Sequence, residues 1–384
     1  MSIYDWSTTL RTHRQCVGDS SRIESYQDAI AEVIKQGDVV VDVGTGTGIL
    51  GMMACRAGAK KVYAIEPDQI IELARQICTA NGLTNQIVFL PGLSYEVSLP
   101  DKADVLIAGH LHNFGVEMGL LSSIIDAQKR FLKPKASIIP QSVDLFVVPI
   151  ELPDTYNEVI EFWKGRPAGF DYASVRELAV ENCYMVDLRE SSFLSEPTSL
   201  VTIRFDQLDD TFISGRSTFI VSRNGVLHGI GGWCSAELSP NVTISNNPVL
   251  PSVHWAQIYF PIEDQIAVKS GDRVLCSVDT NDGHTWRWRV DVLKGTDIRP
   301  SARFDHSTFR PGLISKETLR KKLPAFTPHL SRQGAALLAA LSLCDGQRTL
   351  EEIQKDISFR FGECFASPQV LSNFITEQIS PWIE

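Results

Sequence analysis

The stretch Val39-Val-Val-Asp42-Val-Gly44-Thr45-Gly46-Thr-Gly48-Ile-Leu50 decides the fold. An apolar, β-branched run enters a glycine-rich turn, and an apolar helix follows from Ile49 to Ala57. Strand, tight loop and helix in that order form the opening unit of a doubly wound α/β sheet. Glycines at 44, 46 and 48 let the backbone approach a ligand closely, where a Cβ would intrude. The spacing is GxGxG, and Ile49 stands where a dinucleotide fingerprint needs its third glycine. Asp42 disfavours a pyrophosphate and suits a ligand that carries an amino group.

A loop of this kind points to S-adenosylmethionine. Lys61-Val-Tyr-Ala-Ile-Glu66 is a short strand that ends in a carboxylate, at the separation suited to ribose hydroxyls. A third strand, Ile87-Val-Phe-Leu, runs into Pro91-Gly-Leu-Ser94-Tyr95-Glu96, where the adenine edge would be read. Ser94, Tyr95 and Glu96 are candidates there. The candidate cofactor-binding set is therefore Asp42, Gly44, Thr45, Gly46, Gly48, Glu66, Ser94, Tyr95 and Glu96.

The chain has 384 residues, enough for two domains and a small module. No run approaches the ~18 apolar residues of a membrane helix, and the N-terminus lacks a signal-peptide layout. Eight cysteines are scattered without a CxxC pair, which argues for reduced thiols in a cytoplasm and against structural zinc. The net charge of −10 disfavours binding along a phosphate backbone, so neither nucleic acid nor membrane is an expected partner.

Residues 1–139 alternate helical patterns with short apolar strands, as a parallel sheet requires. From 140 to 295 the chain reads as an antiparallel β-barrel, with Asn224-Gly225 and Asn281-Asp-Gly283 as hairpin turns. A helical excursion is expected at about 152–176. A polar linker (296–324) leads to a mostly helical module at 325–384, with Thr349-Leu-Glu-Glu352 as a capping box and Ser367-Pro368 opening a helix.

Four segments together resemble the protein arginine methyltransferase family. Asp19-Ser-Ser-Arg22-Ile-Glu-Ser-Tyr26-Gln-Asp-Ala-Ile30 resembles the helix that precedes its first strand. Phe162-Trp163 with Gly169-Phe-Asp-Tyr-Ala-Ser174 is similar to its dimerisation arm. Ser252-Val-His254-Trp255 resembles its Thr-His-Trp loop, and the glycine loop is the fourth. The resemblance implies a seven-strand Rossmann-like sheet followed by the barrel, with a homodimer joined through the arm. It implies that Arg22 grips the cofactor's carboxylate and that Asp19 and His254 form a dyad. It also implies an N-terminal lid, for which Tyr4, Trp6 and Arg14 are the candidates.

The family's active loop carries two glutamates nine residues apart, which clamp a guanidinium. Here Gly109 occupies the first position, and the acid in the loop is Glu117, one residue short of that spacing. His110 and His112 stand in the loop as candidate general bases for a less basic acceptor. With no further ligand in the segment they do not make a metal site. The expected activity is methyl transfer to a nitrogen or oxygen of a peptide or small molecule. A remodelled arginine N-methyltransferase and a cofactor-binding pseudoenzyme stay open as alternatives. The C-terminal segment Leu343-Cys-Asp-Gly-Gln-Arg-Thr-Leu-Glu-Glu-Ile353 is similar to winged-helix peptide-binding modules.

Overall fold

A computed structural model describes residues 6–250, 255–310, 316–321 and 323–383. The chain divides into two compact units, one of Ser7–Gly312 and one carrying the C-terminal helices. The first begins with α1 (Trp6–Gly18) and α2 (Ser20–Val33). Tyr26, Ala29 and Ile30 form the buried face of α2 at the i, i+3, i+4 spacing of an amphipathic helix.

An alternating series follows: β1 (Val39–Val43), α3 (Ile49–Arg56), β2 (Lys61–Glu66), α4 (Ile70–Ala80), β3 (Ile87–Pro91), β4 (Ala103–Ile107), α5 (Leu120–Arg130) and β5 (Leu132–Ile139). The strands pair in parallel in the order β3-β2-β1-β4-β5. The order reverses between β1 and β4, the switch point where ligands of such sheets bind. Asp42 of β1 pairs in register with Ile107 of β4, so the loops after these two strands emerge side by side.

Among the described residues the parallel sheet has five strands, where seven were expected. After β5 the chain passes Pro140 and enters β6 (Ser142–Ile150), which pairs antiparallel with strands of a different sheet.

That layer begins with the excursion α6 (Pro153–Val159) and α7 (Ala173–Ala179), then β7 (Tyr184–Val186), β8 (Thr198–Arg204), β9 (Ile213–Ile220), β10 (Gly225–Ser239), β11 (Val242–Ser245), β12 (Gln257–Val268), β13 (Arg273–Thr280), β14 (Trp286–Leu293) and β15 (Ala302–Ser307). One sheet runs β7-β12-β10-β6-β8, with β11 on β10; the other runs β15-β14-β13-β9. The region expected as a barrel is therefore built from two sheets. Strict alternation produces it: in β14 Trp286, Trp288 and Val290 point inward while Arg287 and Arg289 face solvent. One hydrophobic cluster runs from Val40 and Leu106 through Phe114 to Phe260 and Trp288, joining the parallel sheet to both antiparallel sheets. The excursion has a smaller core of its own around Tyr156, Ile160, Val180 and Trp233.

Asn281-Asp-Gly283 makes the β13–β14 hairpin, with Gly283 at φ 73°. Asn224-Gly225 does not make the expected hairpin, because β9 and β10 lie in different sheets.

The C-terminal unit holds α8 (Lys316–Lys321), α9 (Arg332–Ser342), α10 (Leu350–Phe361) and α11 (Pro368–Ile379). Ala336, Ala340, Ile353, Ile357, Leu371, Ile375 and Ile379 form its core. The Thr349–Glu352 capping box opens α10, and Ser367 caps α11 ahead of Pro368. The described residues of this unit contain no strand, so they do not build the winged form.

Candidate active site

Loops from the C-terminal ends of β1, β2 and β4 meet at one end of the parallel sheet. The glycine loop takes its shape from three left-handed residues, Gly44, Gly46 and Gly48, at φ 71°, 54° and 80°. Its floor is polar. Asp42 is fully buried, and its Oδ2 accepts from Thr45 Oγ1 at 2.5 Å and from the Gly51 amide at 3.1 Å. Burial pushes the Asp42 carboxyl up to about 6, and its Oδ1 has no hydrogen-bond partner. Thr45 thus supports the loop from below.

Glu66 lies at the neighbouring strand end. Its Oε2 accepts from the Gly46 amide at 2.9 Å and its Oε1 from Asp68 at 3.1 Å, which ties this carboxylate to the glycine loop. Burial raises its pKa. The turn after β3 joins the same edge, since the Gly92 amide donates to the Glu66 carbonyl at 3.1 Å. Within that turn Ser94 is buried against α5, and its carbonyl accepts from Arg130. Glu96 caps the turn through the Leu93 amide, and Tyr95 is exposed.

Arg22 is the most unusual group of the site. It is 8% exposed, and among the described residues no carboxylate pairs with it. Its guanidinium donates to the Gly109 carbonyl and lies 5.0 Å from the ring centroids of both Tyr26 and Trp255. A buried cation without a counter-ion is costly by several kcal/mol, which favours an incoming anion. Around it are buried polar atoms with no partner: Asp19 Oδ2, Tyr26 Oη, Asp42 Oδ1 and His110 Nδ1. Such atoms cost roughly 1–3 kcal/mol each when left unsatisfied. Asp19 also caps α2, its Oδ1 accepting the Arg22 amide at 3.0 Å. Its expected partner, His254, lies outside the described residues.

Two imidazoles rest on the glycine loop. A Cβ added at Gly44 would lie 2.8 Å from His110 Nδ1, and one at Gly46 would lie 2.8 Å from His13 Cε1. Only glycine lets these rings approach so closely. Burial, with help from Arg22 and His112, pulls His110 down to about 4, so its ring is neutral at neutral pH. Burial also lowers His13, and partial desolvation of the ring with the nearby Arg22 charge lowers His112, whose outer edge still meets solvent. The sequence reading missed His13, Tyr26 and Trp255 as site residues. The Thr9, His13, Cys16 spacing, the less exposed stripe of α1, could have marked the first. Of the expected lid residues, Trp6 and Arg14 are exposed, and Tyr4 lies outside the described residues.

The Glu117 carboxylate is bound to the backbone of its own loop. Its Oε1 accepts from the Phe114 amide at 2.7 Å and its Oε2 from the Val116 amide at 3.0 Å. Burial pushes it up to about 7. The turn it closes is clamped on both sides. A Cβ at Gly115 would meet Cys234 and Val143 at 2.8 Å, and one at Gly283 would meet the Val116 carbonyl at 2.0 Å. At the spacing of nine from Gly109 stands Met118, 61% exposed.

Two family profiles cover consecutive parts of the chain. Residues 141–294 match the arginine methyltransferase oligomerization subdomain, and residues 25–141 match the ribosomal protein L11 methyltransferase. The chain is 32% identical over 238 residues to the probable protein arginine N-methyltransferase 6 of Arabidopsis thaliana, covering 59% of this chain and 54% of that protein. It is 29% identical to protein arginine N-methyltransferase 1 of Dictyostelium discoideum, covering 70% and 80%. Its fold is similar to the Trypanosoma brucei PRMT1 enzyme-prozyme heterotetrameric complex with AdoHcy, at TM-score 0.69 and 21% identity over 77% of this chain and 97% of that one. With the glycine loop, the Asp19–Arg22–Tyr26 helix and the antiparallel layer in family order, the chain resembles the protein arginine methyltransferase family in sequence and in fold.

Proposed function

We propose that this protein is an S-adenosylmethionine-dependent methyltransferase whose acceptor is a nitrogen or oxygen of a peptide or small molecule, and not the ω-nitrogen of an arginine. The observation that carries the cofactor is Arg22, a buried cation with no carboxylate partner among the described residues, standing beside a glycine loop tied to Glu66. The residues fit the group. Arg22 would hold its carboxylate by a charge-assisted contact. Asp42 and the backbone at Gly44, Gly46 and Gly48 would hold the amino-acid portion, and Glu66 the ribose. Tyr95 and Glu96 stand where the adenine edge would lie, with Ser94 anchoring their turn. Bound there, the cofactor supplies an electrophilic methyl on a sulfonium, so the protein's task is alignment in a site with little water.

The acceptor reading rests on the loop from 109 to 118. A guanidinium needs paired carboxylates to hold it and to localise its electrons on one nitrogen. Gly109 and Met118 offer none, and the Glu117 oxygens are committed to backbone amides. Neutral His110 and His112 can instead take a proton from an acceptor. The buried Asp19 Oδ2, without a partner, supports the dyad with His254. Exposed Phe162 and Phe170, 55% and 68% accessible on the excursion, support a homodimer through that arm.

Calorimetry with S-adenosylhomocysteine tests the cofactor, and loss of binding in Glu66→Ala is expected. Isotopic methyl transfer to a panel of histidine, amine, hydroxyl and carboxylate acceptors tests the rest. Efficient ω-methylation of an arginine-rich peptide would overturn the acceptor reading.

A further inference from the structure

The proposed cofactor site leaves one aromatic residue unassigned. Trp255 stands just ahead of β12, on the antiparallel side of the molecule, yet its ring lies 5.0 Å from the Arg22 guanidinium. Tyr26, one turn along α2 from Arg22 and fully buried, takes an equal position at 5.0 Å. The Gly109 carbonyl receives one of the guanidinium's N–H groups. Two aromatic rings and one carbonyl therefore fix a cation that no carboxylate pairs with among the described residues.

An arginine is suited to this arrangement. Its planar, delocalised charge is weakly hydrated and stacks on aromatic faces, while its edge N–H groups remain free to bind an anion. A long side chain left unstacked would sample many rotamers, and each binding event would have to freeze them. Tyr26 belongs to the same helix as Arg22, so it cannot report on the packing of the other layer. Trp255 can, because it comes from the antiparallel layer.

We infer that Trp255 is a positioning residue for the cofactor's carboxylate: its ring holds the Arg22 guanidinium in the binding orientation and couples that orientation to the seating of the antiparallel layer on α2. The inference rests on the S-adenosylmethionine reading and adds a residue that touches Arg22 and no part of the cofactor. The reach of Trp255 is limited to the amino-acid end. The ribose and adenine ends, at Glu66 and the turn from 92 to 96, should not sense it.

The test compares two ligands by calorimetry on the full chain: S-adenosylhomocysteine, which has the carboxylate, and 5′-methylthioadenosine, which lacks the amino-acid portion. Trp255→Ala should weaken S-adenosylhomocysteine about ten-fold, the scale of a desolvated cation–π contact. It should leave 5′-methylthioadenosine unchanged. Trp255→Phe should restore most of the affinity, and Trp255→Leu, which keeps apolar bulk without a π face, should not. If the alanine variant does not fold, the phenylalanine and leucine pair decides the matter alone. Equal loss for both ligands, no loss for either, or equal behaviour of the phenylalanine and leucine variants overturns the positioning role. A wild-type chain that binds neither ligand removes the cofactor reading itself, and this inference with it.

Discussion

Arg22 donates to the carbonyl of Gly109, so one hydrogen bond joins the helix ahead of the glycine loop to the loop from 109 to 118. The donor is the group assigned to the cofactor's carboxylate, and the acceptor residue stands where relatives of the fold are expected to carry an acid. On the proposed reading, a single side chain links the cofactor's carboxylate to the loop that would receive the acceptor.

Replacement of Arg22 by lysine keeps the charge and removes the planar fork. S-adenosylhomocysteine should then bind roughly 10- to 100-fold more weakly in calorimetry, the loss of about one charge-assisted pair. Arg22→Lys binding within two-fold of wild type would remove the bidentate assignment.

His110 sets a pH dependence. Its folded value near 4 lies below the ordinary 6.5, so between these limits the unfolded chain binds the extra proton. Its contribution to stability is therefore complete above about pH 6.5 and is lost as pH falls toward 4. Asp42 and Glu117 act in the opposite sense, because burial raises both carboxyls and their contributions fall as pH rises from about 4 to 7. Melting curves of wild type and His110→Gln over pH 4.5–7 separate the two. The gap between the curves should change steadily with pH, the variant gaining relative to wild type toward pH 4.5.

Gly283 sits at φ 73° with the Val116 carbonyl directly against it. Gly283→Ala should cost about 2 kcal/mol, through backbone strain and the displaced loop, and lower the melting temperature by roughly 4 °C. Gly271, also left-handed at φ 90° but with open space around it, should lose less on the same change. Equal losses at the two glycines would show that contact with the 109–118 loop contributes nothing.

Gly109→Glu with Met118→Glu places carboxylates nine residues apart. The first Cβ meets the flexible end of Leu50 at 2.3 Å, which must shift. Methyl transfer to an arginine-rich peptide should appear in the double variant and stay at background in the wild type. Measurable transfer by the wild type at the same rate would contradict the acceptor reading.

Much of this was legible in the residues. The Val39–Leu50 stretch announced its strand, loop and helix because β-branched runs and spaced glycines act locally. The Thr349 capping box and the Asn281–Gly283 hairpin were legible for the same reason. Asn224-Gly225 misled, because a turn signal says that the chain bends and not which sheet its two arms join. The missing sixth and seventh strands of the parallel sheet depend on a choice of partner made after Pro140, which local propensity does not encode. His13 on Gly46, Trp255 on Arg22 and Glu117 on its own loop's amides are contacts of tertiary register. Glu117 stood out as the acid of its loop, one residue short of the clamp spacing, and its oxygens are taken by the amides of Phe114 and Val116.

One apolar cluster passes from the parallel sheet through Phe114 into both antiparallel sheets. Within the Ser7–Gly312 unit, a parallel sheet joined in this way to the antiparallel sheets should open together with them, because they share one interior. Any ligand that tightens the glycine loop therefore raises the free energy of opening even at Trp288, far from the contact. Hydrogen exchange in β13 and β14 becomes a gauge of occupancy at a site those strands never touch.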